Sequence, residues 1–215
     1  PRVYHRNLYH TQIIACPDQD IVGRSFAELT PHYGKDAIGV FLNLVAKHGP
    51  HLRWHSAVAN DRRTPLEKIV SHPDILIGFS DAGAHLRNMA FYNFPLRLLK
   101  LVRDAEQRGE PFMSMEKAVY RVTGEIADWF GLPVGRIAVG RQADLVIVRP
   151  EGLDDALDRT HEEEMPGFNG LNRLVRRNPK AIPWVLVNGR VAVVDGEPVP
   201  ALGLDHKFGR VLRAH

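Results

Sequence analysis

The run Ile75-Leu76-Ile77-Gly78-Phe79 constrains this chain more than any other stretch. It is apolar, carries β-branched residues, and is broken at once by Ser80-Asp81-Ala82-Gly83. A continuous apolar run bounded by turn residues predicts a fully buried strand. In barrels of alternating strands and helices, chemistry sits at the carboxyl ends of the strands. The first polar group delivered here that can do chemistry is the carboxylate of Asp81. On residues alone Asp81 has two readings: a turn residue bonding its own backbone, or a catalytic carboxylate.

The flanking sequence supplies the elements such a strand needs. A strand is predicted over Gln12–Cys16, stopped by Pro17. Ser25-Phe26-Ala27-Glu28 spells a capping box and predicts a short helix from Phe26 to about His32, ending at Gly34. Asp36–His48 places Ile38, Phe41, Leu42 and Val45 at the spacing of a one-sided helix, ended by Gly49-Pro50. Leu52–Ala59 alternates like a strand, and a second capping box, Thr64-Pro65-Leu66-Glu67, opens a helix over Pro65–Ser71. Strand, helix and the run Ile75–Phe79 then make one βα repeat. Downstream, Asn93 is a candidate cap for a helix to about Gln107, with Leu98, Leu101, Val102 and Ala105 on one side. Ser114 caps Met115–Val122, and Thr123-Gly124-Glu125 opens a last short helix closed by Gly131.

From Leu132 glycine and valine replace the helical pattern. Gly135–Val148 reads as turn, then strand. Trp184–Val194 holds Asn188-Gly189 between two β-rich runs, the strongest short hairpin signal, and Asp195-Gly196 repeats it. Pro150–Pro183 is irregular and polar, with a brief helix predicted over Asn169–Arg177.

Bulk properties exclude several classes of function. The 215 residues are 44% hydrophobic and 25% charged, ordinary for a globular protein. No apolar run is long enough to span a bilayer, and no signal peptide is visible at Pro1. A net charge of +3 with eleven histidines is not a nucleic-acid footprint, so neither nucleic acid nor membrane is expected as a partner. The basic residues Arg173, Arg176, Arg177 and Lys180 face Glu162-Glu163-Glu164 just upstream. They read as a solvated, mutually paired face or as a site for an anionic group. A single Cys16 excludes an intrachain disulfide and fits a reducing, cytoplasmic compartment. It reads as a small buried side chain before it reads as a reactive thiol. His5 and His10 read as surface or core fillers. His51 and His55 would share a metal on a helix, but a strand separates them by about 13 Å.

Ser80-Asp81-Ala82-Gly83-Ala84-His85 resembles the last-strand motif of the amidohydrolase superfamily, and within it the N-acyl-D-amino-acid deacylase (D-aminoacylase-like) branch. Three segments in the same order add to the likeness. Thr123–Leu132 resembles the final barrel helix, Gly135–Val148 the re-entry into a small β-sandwich, and Val185–Val191 the returning hairpin of that sandwich. The resemblance implies an α/β fold: the C-terminal part of a TIM-like (β/α)8 metal-dependent hydrolase barrel over residues 1–132, with a helical insertion at about 24–50, then a small β-sandwich over 133–215. The family's first strand carries a His-x-His pair, which is absent from this sequence. Its middle strands supply further metal ligands. The chain therefore resembles a C-terminal portion whose partner is a missing N-terminal barrel segment, and which is inactive alone.

The activity implied is hydrolysis of amide bonds with Zn²⁺, one or two divalent metals in the complete enzyme, turning small-molecule N-acyl-D-amino acids into D-amino acid and carboxylate. Asp81 matches the family's general base and metal contact, with the remaining ligands outside this chain. His85 either faces the site, to hold substrate or orient Asp81, or is structural. Arg87 and Arg97 suit the substrate's α-carboxylate, for which the planar guanidinium fork is matched. Deacylases often carry a His-Pro-Arg-like element after the Asp, whereas this chain reads His85-Leu86-Arg87. Two other readings stay open: a cyclic amidase or deaminase of the same superfamily, and a non-catalytic interaction or structural fragment. Self-association into a homo-oligomer is compatible with any of these.

Overall fold

A computed structural model of the chain describes residues 8–57, 59–78, 80, 85, 87, 89–165, 167–205 and 208–214. Two compact units divide at Ile69/Val70.

In the first unit β1 (Thr11–Ala15) pairs antiparallel with β2 (Arg53–Ser56), with Ile13 opposite Trp54. Between them run α1 (Thr30–Tyr33) and α2 (Ala37–His48). Ile13, Cys16, Ile21, Phe26, Leu29, Val40, Leu44 and Leu52 form one core, and Cys16 is a small buried side chain within it. The first capping box forms as spelled: the Ser25 N–H donates to Glu28 Oε2 at 2.6 Å and the Glu28 N–H to Ser25 Oγ at 3.2 Å. The Ser25 bonds hold the Glu28 carboxyl below its ordinary pKa. Yet the helix begins only at Thr30, not at Phe26. The Phe26 N–H is bonded to the Thr11 carbonyl of β1, and Phe26 and Leu29 are drawn into the core. Tertiary contacts thus take the turn that local chemistry had started. Gly34 ends α1 in the left-handed conformation, as expected.

Helix α2 matches its predicted span, with Asp36 accepting from the Gly39 N–H at 2.7 Å. Its buried stripe is rotated from the predicted one. Val40 and Leu44 face the core, whereas Ile38 and Leu42 are 60% and 58% exposed. This helix is apolar on most sides, so spacing alone does not select the inward face. Helix α3 (Arg63–Ser71) starts before Thr64, which lies in its first turn and is not the cap.

The predicted strand Ile75–Phe79 is not formed over its described residues: 75–78 are irregular, Ile75 and Gly78 are exposed, and Leu76 and Ile77 are half-buried. Phe79 lies outside the described residues. A strand needs a neighbour for its backbone groups, and the described strands pair with one another elsewhere. The predicted βα repeat is therefore replaced by helix and irregular chain, and every pairing between described strands is antiparallel.

The second unit is built on α4 (Phe94–Gln107). Its Leu96, Leu98, Leu99 and Val102 pack with Ala118 of α5 (Met115–Arg121) and with Leu153, Leu157 and Ala181. Ser114 caps α5 by accepting from the Lys117 N–H at 3.2 Å. Asn93 precedes α4 but does not cap it; its side chain is engaged elsewhere, as described below. Helix α6 (Gly124–Trp129) follows, and Gly131 closes it with positive φ.

Four strands, β3 (Leu145–Ile147), β6 (Trp184–Val187), β7 (Arg190–Val194) and β8 (Glu197–Pro198), form one antiparallel sheet in the order β3-β6-β7-β8. Asn188 and Gly189 both adopt positive φ, 51° and 76°, the requirement of a tight hairpin turn. Asp195 and Gly196 do the same at 49° and 84°. The helix predicted over Asn169–Arg177 is instead a strand. β4 (His161–Glu164) and β5 (Asn172–Val175) pair with Glu163 opposite Arg173. Positive φ at Gly167, Asn169 and Gly170 reverses the chain between them, and opposite charges across the pair favour the strand register.

Gly152 marks the tightest backbone approach in this unit. A Cβ there would lie 2.5 Å from the Ala181 Cα and 2.6 Å from the Lys180 carbonyl oxygen, both main-chain atoms. Gly152→Ala should lower stability by about 1–3 kcal/mol, the usual cost of overpacking, read as a lower urea midpoint at unchanged m. Gly78→Ala, where a Cβ meets nothing within 4 Å, is the matched control. Equal midpoints for the two variants would show that this contact is soft.

Candidate functional site

Asp81 lies outside the described residues, as do Ala82, Gly83, Ala84 and His5. The structure does describe what flanks it. Ser80 is half-buried, and His85 and Arg87 are exposed. The His85 carbonyl accepts the Met89 N–H at 2.9 Å.

The approach to Asp81 is held by a residue that sequence reasoning missed. Arg121, at the end of α5, has a side chain only 1% exposed. Its Nη2 donates to the His72 carbonyl at 3.1 Å and also to the Ile75 carbonyl. Its Nη1 lies 3.1 Å from Glu125 Oε2 and 3.2 Å from Oε1. The Ile75 carbonyl, which a sheet would have satisfied, thus takes its bond from one buried guanidinium. Only the i,i+4 spacing of Arg121 and Glu125 hinted at this in the sequence, and such pairs usually lie on a solvated face.

Arg97 projects from α4. Its Nε is 3.0 Å from Asp158 Oδ1, and its guanidinium stands 5.8 Å from the centroid of the Phe91 ring. The basic run after β5 is largely paired. Arg177 grips Glu163 through Nε at 3.2 Å and Nη2 at 2.5 Å, and Lys180 reaches Asp154 at 2.6 Å. Arg177, then His161, hold the Glu163 carboxyl below its ordinary pKa. This is the mutually paired face that the sequence offered as one reading of these charges.

Among the described residues no group of three or more His, Cys, Asp or Glu is placed to hold a metal ion. His51 ends a 3₁₀ turn and His55 lies in β2. The described residues therefore do not fit a metal centre of their own, and none of them is assigned a step through one. No described helix is long and apolar enough to cross a membrane.

Residues 21–191, most of the chain and the whole neighbourhood of Asp81, match the model of the amidohydrolase family. The chain belongs to the amidohydrolase family. This amidohydrolase is 42% identical over 219 aligned residues to uncharacterized proteins of Mycobacterium bovis and Mycobacterium tuberculosis. The match takes in 100% of this chain and 36% of each relative, so the chain spans about a third of the length of the curated relatives it matches. Among solved structures it is similar to D-aminoacylase, which defines a novel subset of amidohydrolases (TM-score 0.52, 22% identity, 97% of this chain, 39% of that one). It is also similar to N-acyl-D-glutamate deacylase from Bordetella bronchiseptica, which was solved with zinc and a phosphonate mimic of the reaction's tetrahedral intermediate (TM-score 0.52, 23% identity, 97% of this chain, 38% of that one). These likenesses are of fold. The mixed helix-and-strand architecture of this amidohydrolase is similar to that of both.

Proposed function

We propose that this chain is the C-terminal portion of a metal-dependent amidohydrolase that converts N-acyl-D-amino acids into D-amino acid and carboxylate. The observation that carries the reading is the family match over residues 21–191, which encloses Ser80-Asp81-Ala82-Gly83-Ala84-His85. In this reading residues 1–132 contribute to a (β/α)8 barrel and 133–215 to a small β-sandwich. Both are completed by a segment outside the chain, which also supplies the metal ligands other than Asp81. Water adds to the amide carbonyl, the C–N bond breaks, and the amine leaves with a proton. Asp81 takes the proton from the attacking water and hands it to the departing nitrogen. His85, which is exposed, holds substrate or orients Asp81, and Arg87 and Arg97 serve the substrate's α-carboxylate.

The reading is tested with the full-length protein and a panel of N-acetyl-D- and N-acetyl-L-amino acids, cyclic amides and aminopurines, scored by amine or ammonia release. Release of free D-amino acid at about a hundredfold or more over the L-isomer is expected, because a mispositioned polar group leaves its site unpaired. Turnover confined to cyclic amides or aminopurines would keep the family and discard the deacylase.

A further inference from the structure

We propose that Arg97 and Arg176 together hold a small oxyanion, the carboxylate or phosphate group of a ligand, beside the ring of Phe91. The site does not include Asp81; Arg97, matched above to the substrate's α-carboxylate, is the one residue it shares with the deacylase reading, and binding of an inorganic ion to the pair is read without turnover.

Arg176 follows β5 and is only 7% exposed. Its backbone is locked by Tyr92: the Tyr92 hydroxyl donates to the Arg176 carbonyl at 2.9 Å, and the Arg176 N–H donates to the same hydroxyl oxygen. The side chain is far less well satisfied. Nη1 lies 3.4 Å from Asn93 Oδ1 and 3.4 Å from Asp158 Oδ1, both at the long end of hydrogen bonding. Nε is buried with no partner among the described residues. Arg97 reaches the same Asp158 oxygen, its Nε at 3.0 Å. Both guanidiniums stand against one ring, Arg176 at 5.0 Å and Arg97 at 5.8 Å from the Phe91 centroid. Two cations therefore share one oxygen of a carboxylate whose side chain is 51% exposed.

That arrangement is short of negative charge. A buried charge is costly unless closely paired, and here a second cation is its neighbour. Burial first, and the charge of Arg97 second, hold the Arg176 pKa below its ordinary value. An oxyanion entering beside Asp158 supplies the missing charge and acceptors for guanidinium N–H groups that a carboxylate or phosphate matches in geometry. The side of the site formed by Asn93 is preset. Asn93 Nδ2 donates to the Leu157 carbonyl at 2.8 Å and to Asn178 Oδ1 at 3.1 Å, which fixes Asn93 Oδ1 toward Arg176. Of the other cations of this run, Arg177 and Lys180 already hold carboxylates at 2.5–2.6 Å, and Arg173 lies in β5 opposite Glu163. The anion-binding alternative left open by the sequence therefore narrows to Arg176 with Arg97.

The test is calorimetric titration of inorganic phosphate and of acetate into the full-length protein in chloride buffer, for wild type, Arg97→Gln and Asp158→Asn. Both substituted side chains are about half-exposed, and circular dichroism checks that the fold is kept. Saturable binding is expected for wild type. Arg97→Gln should weaken it about tenfold, the loss of one charge-assisted contact, and Asp158→Asn should strengthen it by removing the competing carboxylate. Tighter phosphate than acetate assigns a phosphate-bearing ligand, and the reverse a carboxylate. Equal affinity in all three proteins, or an Asp158→Asn protein that binds no better than wild type, overturns the proposal.

Discussion

Arg121→Ala should lower the stability of this protein by about 3–5 kcal/mol, the cost of breaking a buried charge pair from one side. The side chain is 1% exposed and answers to three groups: the Glu125 carboxylate and the carbonyls of His72 and Ile75. Truncation leaves Glu125, 16% exposed, without its nearer cation. It also takes the guanidinium donor from the Ile75 carbonyl and leaves the His72 carbonyl with the Ile75 N–H alone, in a segment that gains nothing from a sheet. Arg121→Lys should recover only part of the loss, because a point charge on a flexible stem cannot reach the carboxylate and both carbonyls at once. The measurement is the guanidinium midpoint at constant m, with hydrogen exchange over residues 72–78 as the local readout. The comparison is Arg136→Ala. Arg136 pairs with Asp128 at 2.5–2.6 Å but the two side chains are 56% and 44% exposed, so its removal should leave the midpoint close to wild type. Equal losses for the two arginines would mean that Arg121 is not the buried tie described here.

How much of this was legible follows from the range of the interactions. The hairpins at Asn188-Gly189 and Asp195-Gly196 were legible because each depends on two consecutive residues that tolerate positive φ. Caps at Asp36 and Ser114 were legible for the same local reason. The box at Ser25 was legible as chemistry but not as a helix start, since β1 and the core compete for Phe26. Over 75–78 the strand expected from the run is not formed, because an apolar run says that a segment avoids water, not which partner its backbone finds. The β4–β5 hairpin was missed because its register comes from charges brought together across a seven-residue loop, not from a two-residue turn. At the candidate site the motif around Asp81 was legible as a family likeness. Arg121 and the Arg97–Arg176 pair were not, because burial of an arginine is decided by elements far apart in the chain.

Asp81→Asn in the full-length enzyme should reduce kcat on an N-acyl-D-amino acid by about 10²–10⁴, the usual contribution of a positioned acid–base group. Asn is nearly isosteric and keeps an acceptor oxygen, so substrate binding and fold should hold while proton transfer fails. KM should change little, and the stability should stay close to wild type. The substrate's leaving group separates this role from a merely structural one. An amide expels a poorly leaving amine and needs the proton that Asp81 returns to nitrogen. An ester of the same acyl group with a nitrophenolate leaving group does not. The rate lost on Asp81→Asn should therefore be at least about tenfold smaller for the activated ester than for the amide. Equal losses on both substrates would restrict Asp81 to activating water, and wild-type rates on the amide would remove it from the chemistry altogether.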